Sequence, residues 1–414
     1  MSNVRGKRIV LGVTGGIACY KSADLASKLT QMGARVETIL TPAALNFIRP
    51  ATFAAVTRAP VWTDMYTPDR EGRFPHVTLS RQADMIVIAP CTANTLAKLA
   101  HGLADNLLTA TVLDSRAPLL LAPAMETHMW THPATQANVE LLHRRGVYTV
   151  GPEKGHLASG ATGEGRMSEV STLIEAIRWV LGRNGPLREH KVVVSAGGTR
   201  EPIDPVRFLT NPSTGKMGVA IAAAARDLGA DVVLVHAPIQ VPVPYGVVAR
   251  PVTTAAEMFT AVMEETEDAD VFVSAAAVAD FRPEAVATEK IKKEGRERLV
   301  IELVRTPDIL AQVGERRRRS GRPRVLVGFA AETENLLAAA MDKIRRKNLD
   351  LIVANDVSAP DAGFGVDTNR VILLDREGHQ EAWPLMTKEE VAERLMARIM
   401  ALLGKAAHTE NVDE

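Results

Sequence analysis

Four polar side chains of different chemistry fall within one glycine-punctuated stretch, Ser195-Ala-Gly-Gly-Thr-Arg-Glu-Pro-Ile-Asp-Pro-Val-Arg-Phe-Leu-Thr-Asn-Pro-Ser-Thr-Gly-Lys-Met-Gly218. A carboxylate (Asp204), a guanidinium (Arg207), a carboxamide (Asn211) and an ammonium (Lys216) are more polar function than a connecting loop needs. Glycines let backbone N–H groups approach a phosphate closely. The stretch is not G-x-G-x-x-G, and it is not a P-loop, because Thr210 stands where a P-loop ending in Gly215-Lys216 needs glycine. Ser274-Ala-Ala-Ala-Val-Ala-Asp-Phe-Arg-Pro283 sets an acid and an aromatic directly behind a small apolar strand end. Glu289-Lys-Ile-Lys-Lys293, Lys343 and Lys347 offer further cations, though locally they also read as a solvated run and a helix face. His76 is suited to proton transfer near neutral pH, but on local sequence alone the start of a helix beside a sheet is the stronger reading.

These residues need elements to position them. In the first half, strands are expected at Arg8–Val13, Val36–Leu40, Met85–Ala89 and Leu119–Ala122, with helices between them. That alternation predicts a parallel sheet covered on both faces. Right-handed crossovers then gather the strand-end loops on one edge. The loops carry Thr14-Gly-Gly, Thr41-Pro42, Pro90-Cys-Thr-Ala-Asn-Thr95 and Pro123-Ala-Met125, small groups suited to a phosphate and a planar ring. No acid ends the second strand, so a mononucleotide suits the edge better than a dinucleotide. In the second half, strands are expected near Val192, Val232–Val235, Val271–Ser274, Val325–Gly328, Leu351–Val353 and Val371–Leu374. The Ser195–Gly218 stretch then lies between a strand end and a helix over about 219–228. Leu299–Val304 reads as an edge strand or dimer arm, and Lys388–Leu403 as an amphipathic helix.

The 414 residues favour two domains, and 46% hydrophobic residues suffice for two cores. Lys plus Arg and Asp plus Glu are both 49, so charge points to neither nucleic acid nor membrane. Arg316–Arg319 suits the C-terminal end of a helix. Two distant cysteines, Cys19 and Cys91, argue against a disulfide scaffold and fit a reducing, cytoplasmic setting. No apolar run approaches the roughly 20 residues of a membrane span. The expected division is 1–182 for the first domain, 183–190 as linker, 191–404 for the second and 405–414 as a disordered tail.

Thr14-Gly-Gly-Ile-Ala18, Pro90-x-Thr-Ala-Asn-Thr95 and Pro123-Ala-Met125 with Met129-Trp130 resemble the flavin-containing cysteine decarboxylases. Lys98-Leu-Ala-His-Gly-Leu-Ala-Asp-Asn-Leu-Leu108 narrows the resemblance to phosphopantothenoylcysteine decarboxylases, over about residues 6–180. The resemblance implies a flavodoxin-like domain that binds FMN through Gly15, Gly16, Ile17, Thr41, Pro90, Thr92, Ala93, Asn94, Thr95 and Met125. It assigns catalysis to His76 and a substrate-clamping flap to residues 155–167. The implied chemistry is oxidation of the substrate's cysteine thiol, loss of CO2 and return of the electrons. Two positions depart from the pattern. Glu126 stands where an Asn holds the substrate carboxylate, and Ser159 where a Cys donates the final proton.

The second half resembles phosphopantothenate–cysteine ligases over residues 188–400, through the opening stretch, residues 274–283, 289–293 and 328–333, and Asn355-Asp356. The order of the two halves resembles the bifunctional bacterial family of coenzyme A synthesis. The implied fold class is α/β, two Rossmann-like three-layer domains with mostly parallel sheets. The resemblance implies CTP bound by Gly197, Gly198, Ser274, Ala275, Ala276, Asp280, Lys290, Pro307, Asp308, Ile309, Leu310, Phe329, Lys343 and Lys347. It gives Asn211 to acyl-cytidylate formation, Lys290 to its conversion, and Mg2+ to the neighbourhood of Asp280. Thr306 replaces the usual Asn before Pro307. The charged segment 284–298 is expected to be a mobile flap, ordered only with ligand. The family also implies ligase dimers and flavin-domain trimers, together a dodecamer. Two other readings stay open: a ligase whose flavin domain no longer decarboxylates, and a flavin-binding regulatory subunit.

Overall fold

The computed structural model describes residues 3–68, 72–293, 297–332, 336–356 and 365–410. The chain divides into two compact units, Met1–Arg183 and Asn184–Glu414.

The first unit is built on six parallel strands: β1 (Arg8–Val13), β2 (Arg35–Leu40), β3 (Val61–Trp62), β4 (Met85–Cys91), β5 (Leu119–Pro123) and β6 (Tyr148–Thr149). Their order is β3-β2-β1-β4-β5-β6. The four strands read from sequence form its centre because they are continuous apolar runs, buried on both faces. The edge strands β3 and β6 have two residues each, too few to show a period. Val10, Ile39, Ile86, Ile88 and Leu121 share one core cluster. Each such fully buried side chain contributes about 1.5–3 kcal/mol relative to exposure. Beside the sheet lies an antiparallel hairpin of β7 (Glu153–His156) and β8 (Thr162–Arg166).

The second unit has an eight-stranded sheet and two small hairpins. Its strands are β9 (Lys191–Ala196), β10 (Arg200–Pro202), β11 (Phe208–Thr210), β12 (Asp231–His236), β13 (Val248–Pro251), β14 (Val271–Ser274), β15 (Phe281–Pro283), β16 (Leu303–Arg305), β17 (Val325–Glu332), β18 (Leu351–Asp356), β19 (Thr368–Asp375) and β20 (Gln380–Thr387). The main sheet runs β13-β12-β9-β14-β17-β18-β19-β20, and β10–β11 and β15–β16 pair separately. Strands β13 to β18 are parallel, while β19 and β20 return antiparallel. Val192 and Val194 pack in one core with Leu395 and Ile399, and Val193 packs in the other with Met258 and Ile344. That alternation is the period of two that puts successive side chains on opposite faces of a sheet.

Several expectations are corrected. The helix behind the opening stretch begins at Lys216, and the stretch itself folds a hairpin, β10–β11. The C-terminal helix runs Lys388–Glu410, so 405–410 is helical rather than a disordered tail; residues 411–414 lie outside the described residues. Of the 299–304 segment, only Leu303 and Val304 join a strand, paired with β15. Residues 284–293 are tied to the 203–207 loop by hydrogen bonds, Ala287 N–H to Ile203 O at 3.0 Å and Ile291 N–H to Asp204 Oδ2 at 3.1 Å. The sequence led us to expect a segment held only by ligand. Its residues 294–296, like Thr333 of the 328–333 motif, lie outside the described residues. No helix among the described residues is long and apolar enough to cross a membrane.

Candidate functional sites at two strand-end edges

In the first unit, the ends of β1 and β4 are stitched together before the chain turns into helices. Thr14 Oγ1 donates to Pro90 O at 2.8 Å and accepts from Thr92 N–H at 3.1 Å. Thr92 then caps the helix Ala93–His101 through Thr95 N–H. The helix Cys19–Gln31 starts behind Thr14-Gly15-Gly16. Two helix N-termini thus open on one edge, where unpaired N–H groups and the dipole favour an anion.

A cavity of ≈ 460 Å³ occupies this edge, lined by Gly15–Ala18, Thr92, Ala93, Met125, Glu126, Met129 and the hairpin β7–β8. A Cβ on Gly15 would lie 2.5 Å from Ala43 Cβ, whereas one on Gly16 would meet only Thr92 Cγ2, at 3.9 Å. Gly15 therefore serves close packing, and Gly16 keeps the floor of the cavity open. Ile17 and Met129 are large apolar side chains left 63% and 49% exposed at its rim. Open backbone beside N–H donors, with apolar walls, fits a flat aromatic ring carrying a phosphate. The residues present therefore fit a flavin mononucleotide.

The cavity brings together Gly15, Gly16, Ile17, Thr92, Ala93, Met125 and Glu126 from the expected set. Thr41, Pro90, Asn94 and Thr95 do not line it. Thr41 bonds Val13 O, Pro90 accepts from Thr14, Thr95 contacts Thr92, and Asn94 is exposed on the helix. The first three hold the edge together. His76 also lies outside the cavity, on the helix Pro75–Gln82, half-buried beside Phe74, and its Nδ1 is buried without a hydrogen-bond partner. Ser159 sits in the turn of β7–β8 and donates to Glu126 Oε2 at 3.0 Å. The hairpin is seated by Met125 N–H on Gly165 O at 3.0 Å. Sequence reasoning missed Tyr20 and Lys21 as cavity residues, while His156 and Arg166 belong to the expected flap 155–167. The signal in the sequence was the spacing of Ile17 and Tyr20, two large side chains three apart behind the glycine turn, which the structure leaves exposed.

In the second unit, the loops behind β9 and β14 zip into one another. Ala277 N–H donates to Gly197 O at 2.8 Å, Ala276 N–H to Ser195 Oγ at 3.2 Å, and Ala279 N–H to Thr199 Oγ1 at 2.9 Å. A Cβ on Gly198 would come within 2.7 Å of Asn211 O. Gly197 and Gly198 thus permit close backbone approach behind the site and do not line it. The Asn211 amide donates to Ala277 O and Val278 O at 3.3 and 3.4 Å, holding its loop against the end of β14.

The resulting cavity, ≈ 410 Å³, is lined by residues 211–218 and 275–278, with Asp280, Phe329, Lys343, Asn355, Asn369 and Lys388 among its walls. Asn211, Ala275, Ala276, Asp280, Phe329 and Lys343 are thereby brought together as expected. Ser274, Lys290, Pro307, Asp308, Ile309, Leu310 and Lys347 are not among the lining residues. Asp308 caps the helix Ile309–Ser320 and pairs with Lys347 at 2.7 Å. Thr306 fastens the 279–280 turn, its N–H to Asp280 O at 2.9 Å and its hydroxyl to Ala279 O at 2.5 Å. Lys290 is exposed, next to the Ile291 that Asp204 holds.

Asp204 and Arg207 turn out to serve each other. The Arg207 guanidinium, with the N–H groups of Val206, Ile291 and Arg207, holds the Asp204 carboxyl well below the usual carboxylate range. Among the described residues, one cluster has three groups that could ligate a metal, Asp375, Glu377 and His379. It lies at the β19–β20 turn, where Asp375 already bonds the His379 ring and backbone. Asp280 offers a single carboxylate, which suits a Mg2+ that keeps waters and substrate phosphates as its other ligands.

Residues 1–182 match the family model described as Flavoprotein, and residues 187–403 the one described as DNA/pantothenate metabolism flavoprotein C-terminal domain. The coenzyme A biosynthesis bifunctional protein CoaBC of Bacillus subtilis (strain 168) is 43% identical over 402 residues, covering 96% of this chain and 98% of its own. The protein of that name from Escherichia coli (strain K12) is 42% identical over 400 residues, covering 96% and 98%. A crystal structure of the C-terminal domain of such a protein is 40% identical and covers 53% of this chain and 98% of that one, with a TM-score of 0.45.

Proposed function

The chain belongs to the family of the coenzyme A biosynthesis bifunctional proteins, and from that premise we infer that it catalyses two consecutive steps of that synthesis. The second unit is the phosphopantothenate–cysteine ligase, and the first decarboxylates the phosphopantothenoylcysteine it makes. The observation that carries this reading is the pair of strand-end cavities, one in each unit. The first is walled by small and apolar groups, the second by three lysines and one acid.

For the ligase we propose CTP as activating nucleotide. The acid's carboxylate attacks the α-phosphorus, pyrophosphate leaves, and the amine of cysteine then displaces CMP from the acyl-cytidylate. Lys343 offsets charge on the phosphates, with Mg2+ at Asp280 sharing that task. Asn211 fixes the loop that faces the acyl group. Lys290, carried by the segment that Asp204 and Arg207 anchor, reaches the acyl-cytidylate as that segment moves.

For the decarboxylase we propose FMN held by Gly15–Ile17, Thr92, Ala93 and Met125. Bound there, it supplies reversible oxidation of the thiol-bearing carbon, so no external oxidant is consumed. His76 is the proton-transfer group. Because it lies outside its own chain's cavity, it would serve the cavity of a second copy. That supports the reading of flavin-domain trimers, with ligase-domain dimers completing a dodecamer. Glu126 must be protonated, turned away from the substrate carboxylate, or replaced in role by a neighbour such as His128. A ligase-only chain is the second reading, favoured by Glu126 and Ser159. A cytoplasmic site is in keeping with two free, buried cysteines.

The test mixes the pure protein with phosphopantothenate, cysteine, CTP and Mg2+. Release of both CMP and CO2 is expected. CMP without CO2 selects the ligase-only reading, and neither product overturns both.

A further inference from the structure

The cavity of the first unit sets the two departures from the decarboxylase pattern side by side. Glu126 lines it, directly after Met125. The Ser159 hydroxyl accepts from Ala161 N–H at 3.4 Å within the β7–β8 turn and donates to Glu126 Oε2 at 3.0 Å. Among the described residues this is the only bond to that carboxylate, so Oε1 is left for a substrate. Strand β8 lies against the same residue. A Cβ on Gly165 would come within 3.4 Å of the Glu126 carbonyl carbon, and Met125 N–H bonds Gly165 O. Side chain and backbone together hold Glu126 to the hairpin.

The charged groups around it are engaged elsewhere or exposed. Lys21 and Arg166 line the cavity, and both pair with Glu169. His156 lines it from β7 and is exposed, as is His128 on the short helix Thr127–Trp130. Lys154 and Glu164 are exposed on the hairpin and are not lining residues. None of these cations pairs with Glu126. Loss of CO2 from a thiol-bearing amino acid consumes one proton in net, and that proton goes to the α-carbon that carried the carboxylate. Carboxylate and α-carbon are bonded, so a group that meets the first is within reach of the second. A carboxylic acid is a stronger acid than the thiol expected at position 159, and an aliphatic hydroxyl is far weaker than either. Two carboxylates in contact cannot both stay ionised, so the pair takes up one proton as substrate binds.

We propose that Glu126 is the acid that protonates the α-carbon once CO2 has left, and that Ser159 positions it. This rests on the decarboxylase reading above. Substrate brings its carboxylate against Glu126, and the pair takes a proton from solvent. Oxidation at the thiol-bearing carbon, with a hydride passing to the flavin and the thiol proton to His76, gives a thioaldehyde. The bond to CO2 then breaks, and its electron pair spreads over the α-carbon and the sulfur as an ene-thiolate. Departure of CO2 removes the like charge that kept Glu126 protonated. Its proton therefore passes to the α-carbon, and the carboxylate remains. The thioaldehyde so formed takes the hydride back from the flavin and a proton from His76. One proton is consumed, and nothing is oxidised in net. The charge by which Glu126 opposes the substrate is thus what loads it with the proton.

The experiment takes the full-length, flavin-loaded protein through a single anaerobic turnover of phosphopantothenoylcysteine, reading flavin absorbance and product mass. Wild type should release CO2, return its flavin oxidised and give the saturated thiol. Glu126→Gln should still release CO2 but stop with reduced flavin and an ene-thiol lighter by a hydride and a proton. Its return phase should be slowed on the order of a hundredfold or more. Adding Ser159→Cys to Glu126→Gln sets a thiol in the turn and should restore the saturated product. Ser159→Ala alone should slow the return phase by less than about tenfold, the effect of one lost hydrogen bond on a positioned group. A second measurement needs no variant. Calorimetry of wild type with the analogue carrying serine in place of cysteine, in buffers of different ionisation heat, should find about one proton taken up on binding.

The proposal is overturned if Glu126→Gln returns its flavin at the wild-type rate, if it blocks release of CO2, or if the added cysteine restores nothing. It is equally overturned if Ser159→Ala stalls as fully as Glu126→Gln, or if wild type binds the analogue without taking up a proton. Wild type that releases no CO2 would refute the decarboxylase reading itself, a result distinct from all of these.

Discussion

The Ser159 hydroxyl donates to Glu126 Oε2 at 3.0 Å, so the two positions where the chain departs from the decarboxylase pattern touch each other at the mouth of one cavity. Ser159 rides on the β7–β8 turn and Glu126 precedes the short helix Thr127–Trp130. A carboxylate at this position sets a like charge against an anionic substrate. Glu126→Gln should therefore lower the KM of decarboxylation by roughly threefold to tenfold, as expected for removing one like charge in a solvent-exposed setting. A raised KM with full flavin content would show that the carboxylate assists binding instead.

Seating of the hairpin depends on Gly165, where an added Cβ would collide with Met125 O. Gly165→Val should push β8 off Met125, which lines the cavity, and reduce flavin retained per chain. The visible absorbance of the purified variant, relative to its protein absorbance, reads this directly. Undiminished flavin would mean the hairpin is not part of the flavin pocket.

Asp204 anchors residues 284–293 while ionised. Its folded-state pKa is depressed, so the stability it contributes is present above the ordinary carboxylate value, near 4. That contribution is lost as pH falls through the lower folded value. Protease cleavage within 284–298 should consequently be independent of pH from about 5 to 8. Asp204→Asn should be cut faster across that whole range, because it forfeits the Arg207 pair. Equal cleavage of both proteins would leave the anchor without a role.

Asp308 caps a helix through Ala311 N–H at 3.0 Å and also pairs with Lys347, itself 19% exposed. Asp308→Asn preserves the cap and should remain within about 0.5 kcal/mol of wild type. Asp308→Ala loses the cap as well and should cost about 1 kcal/mol, visible as a lower denaturation midpoint. Should the two variants unfold alike, the pair rather than the cap would set the stability.

His76 lies outside the cavity of its own chain. Chains carrying His76→Asn and chains carrying Gly16→Val should each fail to decarboxylate. Co-expressed, they should regain part of the activity, because mixed assemblies contain some intact cavities served by an intact histidine. Absence of recovery in assemblies proven to be mixed would place the proton transfer within one chain.

Alternation of apolar runs with helices made the parallel sheets legible, since strands buried on both faces are continuous runs such as Ile9–Val13 and Val192–Val194. Strand-end loops were legible for the same reason, and the family resemblance singled out Gly15–Ile17, Thr92, Asn211 and Asp280 within or beside them. The hairpin β7–β8 was not, because Glu-Lys-Gly-His and Thr-Gly-Glu-Gly-Arg present almost no apolar face and are mostly exposed. Asp204 and Arg207 looked like site residues because sequence shows their types and spacing but not that they bond each other.

By itself, then, the sequence determined two α/β units and the edges on which they bind ligands, because hydrophobic period and turn chemistry are local properties. Only the tertiary structure decided which polar groups share a cavity. Lys388 is 172 residues from Lys216, and the antiparallel return of β19 and β20 brings both to Asp367 and the end of β18. Pairing direction depends on contacts between distant strands, and no local window of sequence carries it.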